Sequence, residues 1–219
     1  RMIDDLHRCA VALPFKRVHP VVEIVGPNCD LQRCPDDDPN RWLLIQANGD
    51  VKNGRYSYSV APTHVIAFTT VVGAGCEPAN FGLCRFPSTI EVEDRSVWPH
   101  RKKKLRTGLI GWRWGSFCKT QYASNPECGG VGNFLKCHLL VIRMLDRAKE
   151  LGISTEVSDE GDFYTKRDPK ALAKEVGEWN RDIAAYAGRM KDLVGPKLEA
   201  AIMQFPDFEH LEAEGRKRE

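Results

Sequence analysis

From residue 20 to about 93, apolar and polar positions alternate in short runs: Val21 to Val25, Arg41 to Ala47, Arg55 to Val60, His64 to Val72 and Phe81 to Phe86. A period of two turns one face of an extended chain to a core and the other to solvent, so these runs predict antiparallel strands in a sheet or barrel. Between the second and third runs lie Asn48, Gly49 and Asp50, then Asn53 and Gly54. Asn and Gly tolerate the positive φ of tight hairpin turns, which predicts a hairpin there.

Beyond residue 93 the pattern changes. Residues 94 to 107 are mostly charged, with Pro99 embedded, which is the composition of a linker or long surface loop. Gly115 to Tyr122 then predicts a strand, Asn133 the N-cap of a helix reaching Leu151, and Gly152 its end. Ile153 to Asp159 alternates as a second strand, and Asp168 with Pro169 opens a long helix that Gly195 and Pro196 close. Strand, helix, strand, helix implies two parallel strands joined by a right-handed crossover. The predicted fold is α+β, with an antiparallel β-rich N-terminal half followed by a β-α-β-α unit. Its parts are a β module over 15–95, a basic linker over 96–107, the β-α-β-α module over 108–196 and a charged C-terminal tail over 197–219. In the long helix Gly177 and Gly188 fall on nearly the same side, which predicts close approach of another backbone.

Composition narrows the class. With 42% hydrophobic and 28% charged residues the 219-residue chain is of ordinary globular type. No apolar run approaches the roughly 18 residues of a membrane-spanning helix. No basic stretch followed by an apolar segment and a cleavage site is visible, so a cytoplasmic protein without membrane partners is expected. The net charge of +2, from 32 basic and 30 acidic side chains, argues against general phosphate-backbone binding. Arg101 to Lys104, flanked by Trp98, Trp112 and Trp114, is the local exception, where charge plus stacking would suit nucleic acid; a solvated linker is the favoured alternative. Eight cysteines occur without a C-x2-C pair, and reduced thiols are expected in the cytoplasm. No metal is assigned, and no residue pattern names a cofactor.

Candidate chemistry gathers in the second half. Helical spacing puts Phe134, His138, Val141, Leu145 and Ala148 on one face, so His138 points inward. Asp159 ends the row Ile153, Thr155, Val157 on the core side of its strand, and Glu160 follows it. Cys118, Thr120 and Tyr122 share one side of the preceding strand, with Lys119 and Gln121 on the other. Cys118, His138 and Asp159 supply a nucleophile, a general base and an orienting carboxylate. In a non-covalent alternative, His138 with Asp159 or Glu160 does acid–base work while Lys119, Gln121, Tyr122 and Asn133 hold a small-molecule ligand. A metal held by His138 with Cys128, Cys137 or Asp159 is a third arrangement. The stretch from Cys76 to Cys84 follows Gly73 and Gly75 like a phosphate cradle, but lacks the Gly-Lys-Ser/Thr ending of one.

The motifs WGSFCKTQYASNPECGG (residues 114–130), NFLKCHL (133–139) and VSDEG (157–161) resemble a group of uncharacterised bacterial hypothetical proteins. That resemblance covers the second half, implies a bacterial origin and implies no activity. The leading expectation is a small-molecule enzyme of hydrolase or transferase type. A non-catalytic ligand- or protein-binding module ranks second, and nucleic-acid binding through residues 98–114 third.

Overall fold

The computed structural model describes residues 1–50, 57–94, 98–195 and 197–217. The fold is α+β, with antiparallel strands concentrated in the N-terminal half and long helices in the C-terminal half. The chain divides into two compact units: residues 1–8, 18–70 and 79–117 form the first, and 9–17, 71–78 and 118–219 the second.

The chain opens with α1 (Met2–Ala12), followed by β1 (Arg17–Val18) and β2 (Val22–Val25). Ile3, Leu6 and Ala10 make its buried stripe, a three-to-four spacing that begins ahead of the β-patterned text. In the first unit, β3 (Ala47–Asp50) pairs antiparallel with β4 (Ser57–Val60); β4 falls within the predicted run Arg55 to Val60, whereas β3 shares only Ala47 with the predicted run Arg41 to Ala47. Asn48 and Gly49 belong to β3 rather than to its turn, and Asn53 and Gly54 lie outside the described residues. The principal sheet centres on β5 (His64–Val71), which pairs with β6 (Ala79–Arg85) in the register Phe68 to Phe81. β2 pairs along β5 as well, and β9 (Trp112–Arg113) adds to the far side of β6. Cys29, Leu43, Val65, Ala67 and Cys84 make one buried cluster there, with Val22, Ile24, Phe86 and Trp114 against it.

Two predicted features of this half differ. The run from Arg41 to Ala47 begins as a 3-10 turn at Arg41–Leu43, because Arg41 Nη1 donates to the carbonyls of Leu31 and Cys34 and Asp38 accepts from Asn40 N–H. These local bonds outcompete a ladder. The 96–107 linker is instead largely a strand: β7 (Thr89–Asp94) and β8 (Arg101–Arg106) form an antiparallel hairpin in which Glu91 stands opposite Lys104 and Glu93 opposite Lys102. Opposite charges across a strand pair stabilise the pairing, and a charged strand is read as loop when its partner is not recognised. Residues 95–97 lie outside the described set.

The second unit is helical. α2 (Gly130–Glu150), α3 (Phe163–Lys166), α4 (Pro169–Val194) and α5 (Phe208–Arg216) succeed one another. Asp168 caps α4 by accepting from the N–H groups of Lys170 and Ala171, with Pro169 at the first helical position. Gly195 ends it, and Pro196 lies outside the described residues. The two parallel strands of the expected β-α-β-α unit are not formed: residues 115–120 are irregular before a 3-10 turn at Gln121–Ser124, and 153–159 make no ladder. Their burial still alternates, with Ile153, Thr155, Val157 and Asp159 on the inner side. The alternation marks extended chain covered on one side, which without a neighbouring strand has no N–H or C=O row to pair with. The charged 197–219 tail is likewise corrected, since Phe208, Leu211 and Gly215 of α5 are buried with Ala184, Ala187, Ile202 and Phe205.

Small residues set the α4–α5 contact. A Cβ on Gly215 would strike the Arg181 carbonyl oxygen and come within 2.8 Å of Ala185 Cβ, and one on Gly188 would strike the Glu212 carboxylate. Gly177 is different, because the nearest atom to a Cβ added there would be Arg181 Nη1 at 3.9 Å. The predicted close approach of another backbone thus occurs at neither Gly177 nor Gly188; it occurs at Gly215 of α5, against the backbone of Arg181 on α4. Gly215→Ala is expected to destabilise by about 1–3 kcal/mol through overpacking. Gly177→Ala should stabilise by up to about 1 kcal/mol through helix propensity alone. Urea denaturation of the two variants checks the opposite signs.

Candidate functional site

Three segments of the second unit meet at one imidazole. His138 lies on α2, Thr120 precedes the 3-10 turn at Gln121–Ser124, and Asp159 follows the extended stretch after α2. Thr120 Oγ1 is 3.2 Å from His138 Nδ1, and Asp159 Oδ2 is 3.3 Å from His138 Nε2. The His138 side chain is 14% exposed and that of Asp159 9%. Phe134 and Phe163 flank the ring at centroid distances of 5.7 and 5.9 Å.

The carboxylate is held firmly. Asp159 Oδ1 accepts from Gly161 N–H at 3.1 Å, and Oδ2 accepts from Tyr164 N–H at 2.8 Å. These bonds close the turn into α3, where Asp162 takes a left-handed φ of 52°. Burial pushes the Asp159 carboxyl up, but the His138 hydrogen bond, the backbone N–H of Tyr164, the His138 charge and the Gly161 N–H together hold it below its ordinary value. An ionised carboxylate only accepts, so Nε2 of His138 carries the hydrogen in that contact. In the neutral imidazole Nδ1 is then an acceptor, and the Thr120 hydroxyl donates to it. The hydrogen bonds thus run from the Thr120 hydroxyl to His138 Nδ1 and from His138 Nε2 to Asp159.

The other expected site residues are spread around this chain. Cys118 does not reach His138; its Sγ donates to the Glu77 carbonyl at 3.2 Å, and burial pushes its thiol up to about 12. Thr120, two residues on and therefore on the same side of extended chain, takes the position expected for Cys118. Lys119 and Glu160 are exposed. Gln121 donates to Asn180 Oδ1 at 3.4 Å, and Tyr122 packs against the α4–α5 core. Asn133 is not the N-cap of α2, which starts at Gly130 after Gly129 with φ of 108°. Its Nδ2 instead donates to the carbonyls of Ala74 (3.0 Å) and Ala123 (3.3 Å). Thr120 is the functional candidate that residue-type reasoning passes over, and its shared parity with Cys118 is the signal that finds it.

A groove of about 460 Å³ lies elsewhere in the second unit, lined in part by Ser124, Gly177, Asn180, Arg181 and Asp207. Asn180 is buried and donates to Ser124 Oγ at 2.9 Å. Among the described residues, no group of three or more His, Cys, Asp or Glu side chains could hold a metal ion, and no helix is long and apolar enough to cross a membrane. All eight cysteines are free thiols. No family model, curated protein or solved structure matches the chain, so nothing beyond its own geometry names an activity.

The lowered Asp159 carboxyl makes a pH prediction. A group whose folded pKa lies below its unfolded value contributes stability that is full above the ordinary value of 3.8 and is lost as pH falls through the folded value. Wild type is therefore expected to exceed Asp159→Asn in stability at pH 7, by about 1–3 kcal/mol for a buried charged hydrogen bond. The gap should shrink steadily below pH 4 in paired urea titrations.

Proposed function

We propose that the protein is a small-molecule enzyme of hydrolase or transferase type in which His138, oriented by Asp159, acts as general base. The observation that carries this reading is the continuous hydrogen-bonded chain from Thr120 through His138 to Asp159. Its partners have the residue types of a nucleophile, a base and an orienter. Two roles for Thr120 fit the chain: its hydroxyl attacks an acyl or phosphoryl group as His138 removes its proton, the bond to the leaving group breaks and His138 returns the proton to that group, or it positions the ring for a proton taken from substrate. A cytoplasmic, bacterial setting accords with this reading.

A non-catalytic ligand-binding module is the second reading, favoured by the groove around Asn180 and by the deep burial of Thr120. Nucleic acid ranks third. Trp98 is exposed beside the basic strand β8, but Glu91 and Glu93 oppose that strand, and Trp114 spends its Nε1–H on the Asn80 carbonyl.

Chromogenic acyl and phosphoryl esters provide the test. Turnover is expected to fall at least about 100-fold in His138→Ala, the scale of general acid–base catalysis. Thr120→Val and Thr120→Ser separate the two hydroxyl roles: an attacking hydroxyl predicts loss in the first and retention in the second. Equal rates in wild type and His138→Ala, with both folded by circular dichroism, would defeat the enzyme reading.

A further inference from the structure

The groups of the imidazole chain are covered. Thr120 is buried and the His138 side chain nearly so, so a ligand needs part of the protein to move before it meets them. The covering segment is residues 160–167, which carry α3 across the ring. Phe163 is buried, with its ring edge-on to His138 at an interplanar angle of 88°. Among the described residues, the backbone hydrogen bonds of this segment run only to its own residues or to Asp159. Asp162 N–H donates to the Asp159 carbonyl, Thr165 and Lys166 N–H to the Asp162 carbonyl, and Arg167 N–H to the Phe163 carbonyl. Apart from Asp159, side chains alone fasten the segment to the rest of the unit.

Its ends are unusual. Among the described residues, Asp162 (φ 52°) and Arg167 (φ 56°) are the two non-glycine positions with left-handed backbone, and they flank α3. Helices commonly end on glycine in this conformation, because a side chain there crowds the backbone. Arg167 takes that position instead, and its guanidinium makes two bonds to Asp146 on α2, Nη1 to Oδ2 at 2.8 Å and Nη2 to Oδ1 at 2.7 Å. The Tyr164 ring lies against both the Arg167 guanidinium (5.0 Å) and the Lys149 ammonium (4.7 Å). Asp162 Oδ2 accepts from Lys166 Nζ at 2.8 Å, joining the two ends of α3 into one piece. Gly161 is wedged in place, since a Cβ there would strike Leu172 Cδ1 of α4.

We propose that residues 162–167 are a lid over the imidazole chain, pivoting at Asp162 beside the fixed Gly161 and latched to α2 by the Arg167–Asp146 pair. The inference rests on that chain being the functional site. Opening takes Phe163 off the His138 ring and Tyr164 N–H off Asp159 Oδ2, while Gly161 N–H stays on Oδ1. It gives up a bidentate charged pair and the cation–π contact of Tyr164 with Lys149, and it relieves the left-handed backbone at Arg167. The Arg167 and Asp146 side chains are 44% and 38% exposed, so water screens the latch and the lid is held shut only weakly. The open lid admits substrate; the closed lid braces the carboxylate against the ring and keeps water out.

The test uses the full chain and reads His138 directly, so it needs no turnover. Diethyl pyrocarbonate is applied and the modification of each histidine is followed by peptide mass spectrometry, with His210, whose side chain is 72% exposed, as internal standard. His138 is expected to react slowly in wild type and about 3–10-fold faster in Arg167→Ala and Asp146→Asn, with His210 unchanged. The reversed pair, Asp146→Arg with Arg167→Asp, should return His138 to near the wild-type rate. In case the variants fold poorly, hydrogen exchange of wild type gives a second measure. The Tyr164 amide, which loses its acceptor when the lid lifts, should exchange at least about 10-fold faster than the amides of residues 140–144 in α2. Equal His138 reactivity in wild type and both latch variants, or a Tyr164 amide as protected as those of α2, would overturn the lid. His138 unmasked by the latch variants in a protein without ester turnover would sustain the lid and defeat the enzyme reading. Turnover that depends on His138, with its reactivity indifferent to the latch, would do the reverse.

Discussion

The carboxamide of Asn133 holds the second unit together at its most irregular point. Residues 71–78 and 118–129 come to α2 without regular pairing, and their carbonyl oxygens must be satisfied by something other than a ladder. One side-chain NH2 serves both, taking Ala74 O and Ala123 O, and so fixes two loops to the first turn of one helix. The position of Thr120 depends on this, because Ala123 N–H bonds back to the Thr120 carbonyl. So does the position of Cys76, two residues after Ala74. The imidazole chain is not built on a sheet edge; it rests on this local polar bridge.

Asp159 ties a turn and an imidazole together with one carboxylate. Its oxygens close a turn through Gly161 and Tyr164, a duty that an Asp before a glycine performs in many loops. The same oxygen that takes Tyr164 N–H also takes the His138 ring, so loosening the turn would release the imidazole. The ring in turn is braced by Phe134 and Phe163, one from α2 and one from the helix that this turn starts. The result is a preorganised imidazole that needs no reorientation to accept from a hydroxyl.

Periodicity reads faces better than partners, and the chain illustrates both sides of that rule. The inward placement of His138 follows from helical spacing and that of Asp159 from alternation, and the structure brings the two side chains within hydrogen-bond range. Alternation over 153–159 nevertheless produces no strand, since the pattern reports which side is covered and not what covers it. Charge conceals β8 and α5 in the same manner. Arg101 to Arg106 has its explanation in the acids of β7, and Phe208 and Leu211 have theirs in the alanine face of α4, neither of which is local in sequence. The α1 stripe of Ile3, Leu6 and Ala10, by contrast, is legible in the first line of the sequence once that segment is tested for a helical period.

Cys137 and His138 are neighbours in sequence that look in different directions, about 100° apart on the helical surface. Cys137 faces Gly73, while His138 faces Thr120 and Asp159. Substitution at either position alters one environment and spares the other. A single residue inserted upstream in α2 would disturb both, because it would turn the thiol toward the carboxylate and the imidazole away from it, and a deletion would bring Leu139 to the carboxylate instead. The first two turns of α2 therefore carry a reading frame as well as a composition, and the length of chain between Gly129 and Cys137 is under stricter constraint than most of the side chains within it.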